Sequence, residues 1–305
     1  MVVDAHCHLF PPAWRAHGHM PADMFEPAAL VERHEAAGIR AAVVSDPHIW
    51  YGALDPSDIE RTREYNDFAA ELARSHPRRL AALGTVTPWR GDDHLREAER
   101  AVTELALSGL ALPTSDGGRY LDSVPDAFWE LVTGLDVPLF LHPGGTVVGQ
   151  ELMDMYRLGE VCGRPLDTTV TLARFILTGT FERHPGVRLL CSHAGGAICT
   201  IADRLDFGHE LRHYAPLGPW GEVELREPPS SHVARLFLDT VVYGTAGLRL
   251  PLERVGPGRL LYGSDRPPVP LAHERTIGHV RALGLSPDDE SAVLAGNAER
   301  LFGLA

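Results

Sequence analysis

The feature that most constrains the fold is a regular alternation of two kinds of segment along the 305 residues. Short β-branched or apolar runs, typical of buried strands, are separated by longer segments with the apolar spacing of helices. Eight strand-like runs occur, at residues 2–8, 39–45, 80–87, 109–112, 137–142, 187–193, 236–241 and 260–265. The helix-like segments include residues 56–75, 93–107, 124–135, 166–183, 195–213 and 287–302, and Ser286 is the predicted N-cap of the last.

Eight buried strands alternating with helices predict an α/β protein of the (β/α)₈ TIM-barrel class, with residues 1–305 forming a single domain. An open doubly wound sheet would need fewer strands and a glycine-rich phosphate loop, and neither GxGxxG after the first strand nor GxxxxGK[ST] occurs. Two segments depart from the alternation, at residues 10–26 and 214–231. We expect them to be loop insertions that form a lid or a subunit contact.

Charge and composition narrow the class of partner. The chain has 41 acidic and 28 basic residues, a net charge of −13, which disfavours binding to nucleic acid or to an anionic membrane. It has no run of about twenty apolar residues and no export signal. Its four cysteines form no CxxC pair. These features predict a cytoplasmic protein that acts on a small molecule.

Polar residues of one chemical kind stand at the ends of several predicted strands. His6 and His8 lie two residues apart at the end of the first strand, so both side chains should point to the same face. His142, His193 and Asp265 end the fifth, sixth and eighth strands. The carboxyl ends of barrel strands meet at the face that carries catalytic groups. We therefore expect these five residues to lie close together.

Three histidines and one aspartate are suitable ligands for a divalent metal ion. His6, His8, His142 and Asp265 suit Zn²⁺, with Fe²⁺, Mn²⁺ or Co²⁺ as alternatives, and water would complete the coordination shell. Each residue alone has an ordinary explanation, because strand ends and turns carry histidine and aspartate for other reasons. Their joint occurrence at strand ends favours a metal site.

The remaining candidates are less specific. His193, followed by Ala-Gly-Gly, is predicted to be a general acid or base beside backbone that approaches the substrate, and the alternative is a buried histidine bonded to backbone. Trp14, His48 and Trp50 are candidates for lining the substrate pocket, although aromatic residues at loop ends also pack in ordinary ways. Solvated faces and caps are the expected positions of nine others: His34, His76, His94, His184, His209, His213, His232, His273 and His279.

Taken in order, these motifs resemble those of the amidohydrolase superfamily. They are Asp4-Ala-His6-Cys-His8, Leu-His142-Pro, Ser-His193-Ala-Gly-Gly, Gly-Ser-Asp265-Arg-Pro and a final Gly-Asn-Ala-Glu-Arg-Leu-Phe-Gly. More narrowly, the chain is similar to the amidohydrolase-2 branch, typified by aminocarboxymuconate-semialdehyde decarboxylase. The resemblance implies a TIM barrel and one metal ion held by His6, His8, His142 and Asp265. It also implies that His193 acts on bound water or substrate.

The lysine and arginine positions of the family bear on the number of metal ions, the binding of substrate and the oligomeric state. Many superfamily members bridge two metal ions with a carbamylated lysine on the fourth strand, and this chain contains no lysine. The decarboxylase binds its substrate carboxylate with an arginine in an insertion that this chain lacks, and only Arg15 and Arg33 lie nearby. A second family arginine, eleven residues beyond the strand-six histidine, reaches the neighbouring subunit's site. Arg204 has that spacing, which implies a homodimer, unless it is simply a helix-surface arginine.

The resemblance implies a metal-dependent, non-oxidative decarboxylase of a small unsaturated or aromatic carboxylic acid. The His-x-His form of the first strand agrees, because resorcylate-type relatives commonly carry glutamate in place of the first histidine. A metal-dependent hydrolase of a lactone, amide or related ester is the alternative, with Asp265 or His193 as the base. A third possibility is a non-catalytic or repurposed barrel protein of a biosynthetic complex.

Overall fold

All the described strands except β6 and β7 form one closed parallel barrel. A computed structural model describes residues 1–17, 20–46 and 59–304 of the chain. Its strands are β1 (Val2–His8), β2 (Ile39–Ser45), β3 (Leu80–Ala82), β4 (Gly84–Thr85), β5 (Leu110–Pro113), β6 (Ser115–Asp116), β7 (Arg119–Tyr120), β8 (Leu139–His142), β9 (Leu189–Cys191), β10 (Phe237–Asp239) and β11 (Leu260–Leu261). They pair in parallel in the orders β1-β2-β3 and β4-β5-β8-β9-β10-β11, while β6 and β7 form a separate antiparallel hairpin.

Backbone hydrogen bonds join the two runs of strands into a ring. The N–H of Leu83, between β3 and β4, donates to the carbonyl of Val44 in β2 at 2.9 Å, so β3 and β4 are two parts of one barrel strand. At the other end, the N–H of Ala5 donates to the carbonyl of Tyr262 at 2.8 Å, and Cys7 bridges Arg266 in parallel. The predicted eight-stranded TIM barrel is confirmed.

Twelve α-helices and several shorter helical turns surround the strands in the described part of the chain. The helices are α1 (Pro27–Ala36), α2 (Ile59–Ser75), α3 (Asp92–Thr103), α4 (Asp126–Gly134), α5 (Arg164–Leu177), α6 (Thr180–Arg183), α7 (Ile198–Glu210), α8 (Pro229–Val233), α9 (Thr245–Val255), α10 (His273–Arg281), α11 (Pro287–Ser291) and α12 (Asn297–Phe302). Five-residue π-helical turns precede α5 and join α11 to α12, at Gly159–Gly163 and Ala292–Gly296. The 3₁₀ turns are Pro12–His17, Ala22–Phe25, Pro88–Arg90, Leu121–Ser123, Gln150–Leu152, His193–Gly195, Ala215–Leu217 and Pro257–Arg259.

Several predicted boundaries differ from the observed ones for local reasons. The predicted helix 166–183 is divided between α5 and α6 at Gly179, which has φ of +71°. The predicted strand 187–193 ends at Cys191, because His193 adopts φ of 53°. Ser286 is the N-cap of α11, as predicted, and its hydroxyl accepts from the N–H of Asp289 at 3.2 Å. No helix within the described residues is long and apolar enough to cross a lipid bilayer.

An irregularity in β1 decides which side chains face the barrel interior. The pairing register between β1 and β2 shifts between Asp4 and Cys7. Ala5 packs into the apolar cluster that fills the barrel, and the ring of the next residue, His6, contacts Phe140 of the same cluster with centroids 4.9 Å apart. Asp4 and Cys7 face outward. His6 and His8 therefore share the inner face as predicted, but Asp4 does not, despite its even spacing.

Candidate metal centre

Four buried side chains converge at the carboxyl ends of the barrel strands. One ligand atom from each of His6, His8, His142 and Asp265 lies within 4.8 Å of the others. The Nε2 atoms of His6 and His8 are 2.9 Å apart, and they lie 3.3 Å and 3.2 Å from Oδ1 of Asp265. The three rings are fully buried. The structure thus brings together the four residues that the strand-end pattern selected.

The ring nitrogen Nδ1 of each of the three histidines makes a hydrogen bond that orients the ring. Nδ1 of His6 donates to Oδ2 of Asp239 at 2.6 Å, and Nδ1 of His8 donates to the carbonyl of Ser45 at 3.2 Å. Nδ1 of His142 donates to the carbonyl of the next residue at 3.0 Å. A carboxylate or a carbonyl can only accept, so the proton of each neutral ring stands on Nδ1. In neutral His6 and His8, Nε2 therefore carries a lone pair.

With His6 and His8 both neutral, two lone pairs would face each other at 2.9 Å and repel; a proton on Nε2 of His6, or a cation between the two atoms, removes the repulsion. Three imidazole nitrogens with a carboxylate oxygen are a donor set for Zn²⁺ and neighbouring divalent ions. Metal-binding histidines commonly donate their other N–H to a carboxylate or carbonyl, as these do. By donor type, orientation and burial, these residues fit a divalent metal ion.

The charges of the cluster perturb its pKa values strongly. Burial alone would lower the pKa of His6, but the carboxylates of Asp265 and Asp239 raise it to about 10. Burial lowers the pKa of His142 well below its ordinary value, and the nearby rings of His8 and His6 add to the effect. Burial would raise the pKa of Asp265, but the surrounding imidazoles hold it well below its usual range. Without an ion, the centre therefore retains a proton on His6.

Asp239, at the end of β10, is a member of the site that the sequence interpretation missed. Its Oδ2 accepts from Nδ1 of His6 and from the N–H of His193 at 3.1 Å. Its Oδ1 accepts from the N–H groups of Ala194 and Val241 at 2.8 Å and 3.0 Å. Asp239 is the last residue of β10, but the predicted strand 236–241 extended two residues beyond it, so the strand-end signal selects Asp239 only with the observed boundary.

His193 lies beside the cluster. Its Nε2 is 3.4 Å from Oδ2 of Asp265, and its ring centroid is 5.3 Å from that of His142. Its Nδ1 has no hydrogen-bond partner in the described part of the chain. The hydroxyl of Tyr243 also donates to Oδ2 of Asp265, at 3.4 Å. The predicted position of His193 at the centre is observed, and its role in proton transfer stays a prediction.

The glycines after His193 have a packing role that the sequence did not indicate. A Cβ on Gly196 would lie 2.1 Å from the carbonyl oxygen of Pro165 in α5, and one on Gly195 would lie 2.9 Å from Ile198. Both glycines have positive φ, so α7 begins only at Ile198. Close approach of α5 therefore requires glycine at position 196, and the side chains of Ile198 and Leu238 require it at position 195.

The predicted substrate-binding residues lie in different environments. Trp14 is 2% exposed and packs in the core against Phe10 and Tyr65, with centroids 5.9 Å and 6.3 Å away. Arg204 is exposed on α7. His48 and Trp50 lie outside the described residues. Their contacts with substrate therefore remain predictions.

The two arginines near the first loop are already paired. Arg15 lies 3.4 Å from a carboxylate oxygen of Glu26, and Arg33 lies 2.8 Å from one of Asp23. Each guanidinium donates to its partner through one nitrogen, so part of its positive charge is already compensated.

The prediction that the other histidines lie on solvated faces is wrong for four of them. His34, His94, His232 and His273 are buried in the fold. His232 contacts Glu182, with Nε2 3.2 Å from the carboxylate. The rings of His34 and His273 lie together, with centroids 5.1 Å apart.

Comparisons with known proteins agree with this architecture. A family model described as "Amidohydrolase" matches residues 3–304. The 2-amino-3-carboxymuconate-6-semialdehyde decarboxylase of Dictyostelium discoideum is 24% identical, and the match covers 92% of this chain and 77% of that protein. The structure of 5-carboxyvanillate decarboxylase from Sphingomonas paucimobilis has a TM-score of 0.85 at 24% identity, covering 100% of this chain and 99% of that one. A manganese-bound dihydroxybenzoic acid decarboxylase from Polaromonas has a TM-score of 0.80 at 22% identity, covering 99% and 97%.

Proposed function

The chain belongs to the amidohydrolase family, whose model spans residues 3–304, and from that premise we propose that it is a metal-dependent, non-oxidative decarboxylase. Its substrate would be a small unsaturated or aromatic carboxylic acid. The observation that carries the proposal is the facing pair of Nε2 atoms of His6 and His8, 2.9 Å apart beside Asp265. The named decarboxylases among its relatives support the choice of reaction.

We propose that one divalent ion is held by His6, His8, His142 and Asp265. Zn²⁺ is our first choice, while manganese is the ion named for the Polaromonas relative. When bound, such an ion polarises a substrate oxygen and so stabilises the negative charge that develops as CO₂ leaves. The full burial of the three rings excludes water and strengthens that electrostatic effect.

His193 is the proposed proton donor. In decarboxylation the bond between the carboxyl group and its carbon breaks, the electron pair stays on that carbon, and the carbon takes up one proton. We propose that Nε2 of His193, 3.4 Å from Oδ2 of Asp265, delivers it, while Asp265 stabilises the protonated ring. Tyr243 donates to the same carboxylate oxygen and helps to hold Asp265 in position.

We propose that the enzyme is a homodimer in which Arg204 reaches the partner's site and binds the substrate carboxylate. The pairing of Arg15 and Arg33 with other carboxylates supports an arginine from elsewhere. Exposed apolar side chains near α5 and on α7, including Tyr156 at 85% and Phe207 at 58%, would be covered in such a dimer. His48 and Trp50 are proposed to contact the substrate.

A single domain and a cytoplasmic location complete the proposal. The family model spans nearly the whole of residues 1–305, which supports one domain. All four cysteines are free thiols, and Cys162 is exposed, which supports a reducing compartment.

The decisive experiment measures CO₂ release in D₂O from metal-loaded protein. 2,6-Dihydroxybenzoate and 5-carboxyvanillate, named for its structural neighbours, are suitable first substrates among a panel of aromatic and unsaturated acids. A decarboxylase releases CO₂ and leaves one deuterium on the product carbon. Absence of CO₂ from the whole panel, with ¹⁸O from water entering the product of a lactone or amide, would establish the hydrolase alternative instead.

A further inference from the structure

A second group of potential ligands lies on the opposite face of β1. Asp4 of β1, His34 of α1 and His273 at the start of α10 each place one ligand atom within 4.8 Å of the others. Their exposed fractions are 0%, 2% and 5%. We propose that these three residues form a second, buried site for a transition-metal ion such as Zn²⁺. This proposal is independent of the reaction at the first centre.

The carboxylate of Asp4 needs a compensating positive charge. Its Oδ1 accepts from the N–H groups of His6 and Ser264 at 3.2 Å and 3.0 Å, and its Oδ2 accepts from the Ser264 hydroxyl at 2.5 Å. These donors are neutral. A carboxylate buried among neutral donors is stabilised by a cation nearby.

The residue beside Asp4 has a geometry that suits an ion. Nε2 of His34 is 3.3 Å from Oδ2 of Asp4, but it makes no hydrogen bond with any described residue. Two ligands of a tetrahedral Zn²⁺ ion, each about 2.0–2.1 Å from the metal, are separated by about 3.3 Å. The measured separation, which is also that of an ion pair, therefore leaves the two atoms at the spacing of two zinc ligands.

A chain of hydroxyl groups sets the tautomer of His273. The Thr276 hydroxyl donates to the carbonyl of His273 at 3.1 Å, so its oxygen accepts from the Tyr262 hydroxyl at 2.9 Å. The oxygen of Tyr262 is then left to accept from Nδ1 of His273 at 3.0 Å. Nε2 therefore carries the lone pair, and it has no hydrogen-bond partner among the described residues. An oriented imidazole with its second nitrogen bonded to the protein is the form in which histidine binds metals.

The surroundings of the group agree with this assignment. The ring centroids of His34 and His273 are 5.1 Å apart, and both rings are buried. Two imidazoles, one carboxylate and a water match the ligand number of a four-coordinate Zn²⁺ site.

Counting metal ions tests the proposal without any assay of activity. Protein from zinc-supplemented cells, and the same protein stripped with a chelator and reloaded with Zn²⁺ or Co²⁺, is analysed by mass spectrometry for metal per chain. We expect two ions in the wild type and one in the His34→Gln/His273→Gln variant. One ion is also expected in the His8→Gln/His142→Gln variant. His232→Gln, which changes a buried histidine elsewhere, should retain two.

Tyr262→Phe removes the acceptor of the Nδ1 proton of His273 but keeps the ring that packs in the core. It should weaken binding of the second ion by about 10-fold or more and leave the affinity of the first unchanged. The proposal is overturned if the wild type holds a single ion and the His8→Gln/His142→Gln variant holds none. It is equally overturned if the His34→Gln/His273→Gln variant still binds two. Failure to decarboxylate any acid would affect neither count.

Discussion

Replacing Asp239 with asparagine tests whether the tautomer of His6 is what makes it a ligand. In the native protein, Oδ1 of Asp239 accepts from the N–H groups of Ala194 and Val241, while Oδ2 accepts from His6 and His193. Asparagine has one oxygen, which the N–H pair of Ala194 and Val241 should retain. Its amide group would then face Nδ1 of His6 at the position where the carboxylate stood 2.6 Å away.

The NH₂ group of the asparagine side chain can only donate, so Nδ1 of His6 must accept and its proton must move to Nε2. A protonated Nε2 cannot bind a metal. Loss of such an orienting carboxylate costs about 10–100-fold in metal affinity, which corresponds to about 1.4–2.7 kcal/mol. The same NH₂ group would face the backbone N–H of His193, which then has no acceptor. The loss of that hydrogen bond should cost roughly 1–3 kcal/mol of folding free energy.

Competition between the stripped protein and a chromophoric chelator measures the dissociation constant for Zn²⁺. Glu97→Gln is a matched control, because Glu97 is also buried and accepts hydrogen bonds from Asn66 and Arg100 on the outer side of the barrel. We expect at least a tenfold increase in the constant for Asp239→Asn and no change for Glu97→Gln. An Asp239→Asn variant that folds and binds Zn²⁺ as tightly as the wild type would refute the tautomer argument.

Three further predictions concern protons and packing. Since the pKa of His6 is raised to about 10, each ion bound between roughly pH 7 and 9 should displace one proton. Calorimetry in buffers of different ionisation enthalpy detects that proton. The same pKa shift stabilises the metal-free fold below about pH 6.5, and this contribution is lost as pH rises toward 10. Gly196→Ala should lower the unfolding free energy by at least ~2 kcal/mol in urea titrations, because its Cβ would meet the carbonyl of Pro165 at 2.1 Å. The control Gly117→Ala, also at positive φ but in open space, should lower it by about 1 kcal/mol. Ser286→Ala should cost about 1 kcal/mol in the same titrations through loss of the N-cap of α11.

The barrel could be predicted from the sequence because the alternation of strand-like and helix-like segments repeats eight times. The repeat remains recognisable even when individual boundaries are misplaced. Strand ends were predicted less well at the functional positions. Asp265 has φ of 58° and His193 has φ of 53°, so both residues turn out of the strand that leads to them. One or two small residues separate each apolar run from these positions, and the backbone reversal leaves no trace in hydrophobic periodicity.

The bulge in β1 explains why the second group was not predicted. Strict alternation places Asp4 on the same face as His6 and His8, but the register shift turns its side chain toward α1. His34 and His273 were expected on solvated faces or caps, because nothing in the sequence placed a carboxylate of β1 beside them. A bulge depends on pairing with a neighbouring strand, and a single sequence contains little information about that pairing.

The proposed ligands of the first centre could be predicted because they are side chains. The groups that orient them could not be predicted as well, because several belong to the backbone. His142 is oriented by a carbonyl group, which any sequence supplies, and His8 by the carbonyl and hydroxyl of Ser45, whereas His6 is oriented by the carboxylate of Asp239. That carboxylate also accepts from the N–H of His193. Since one group positions both a proposed ligand and the proposed proton donor, a shift of β10 would displace both together. A carboxylate at a strand end that is not itself a ligand is therefore a candidate for this orienting role.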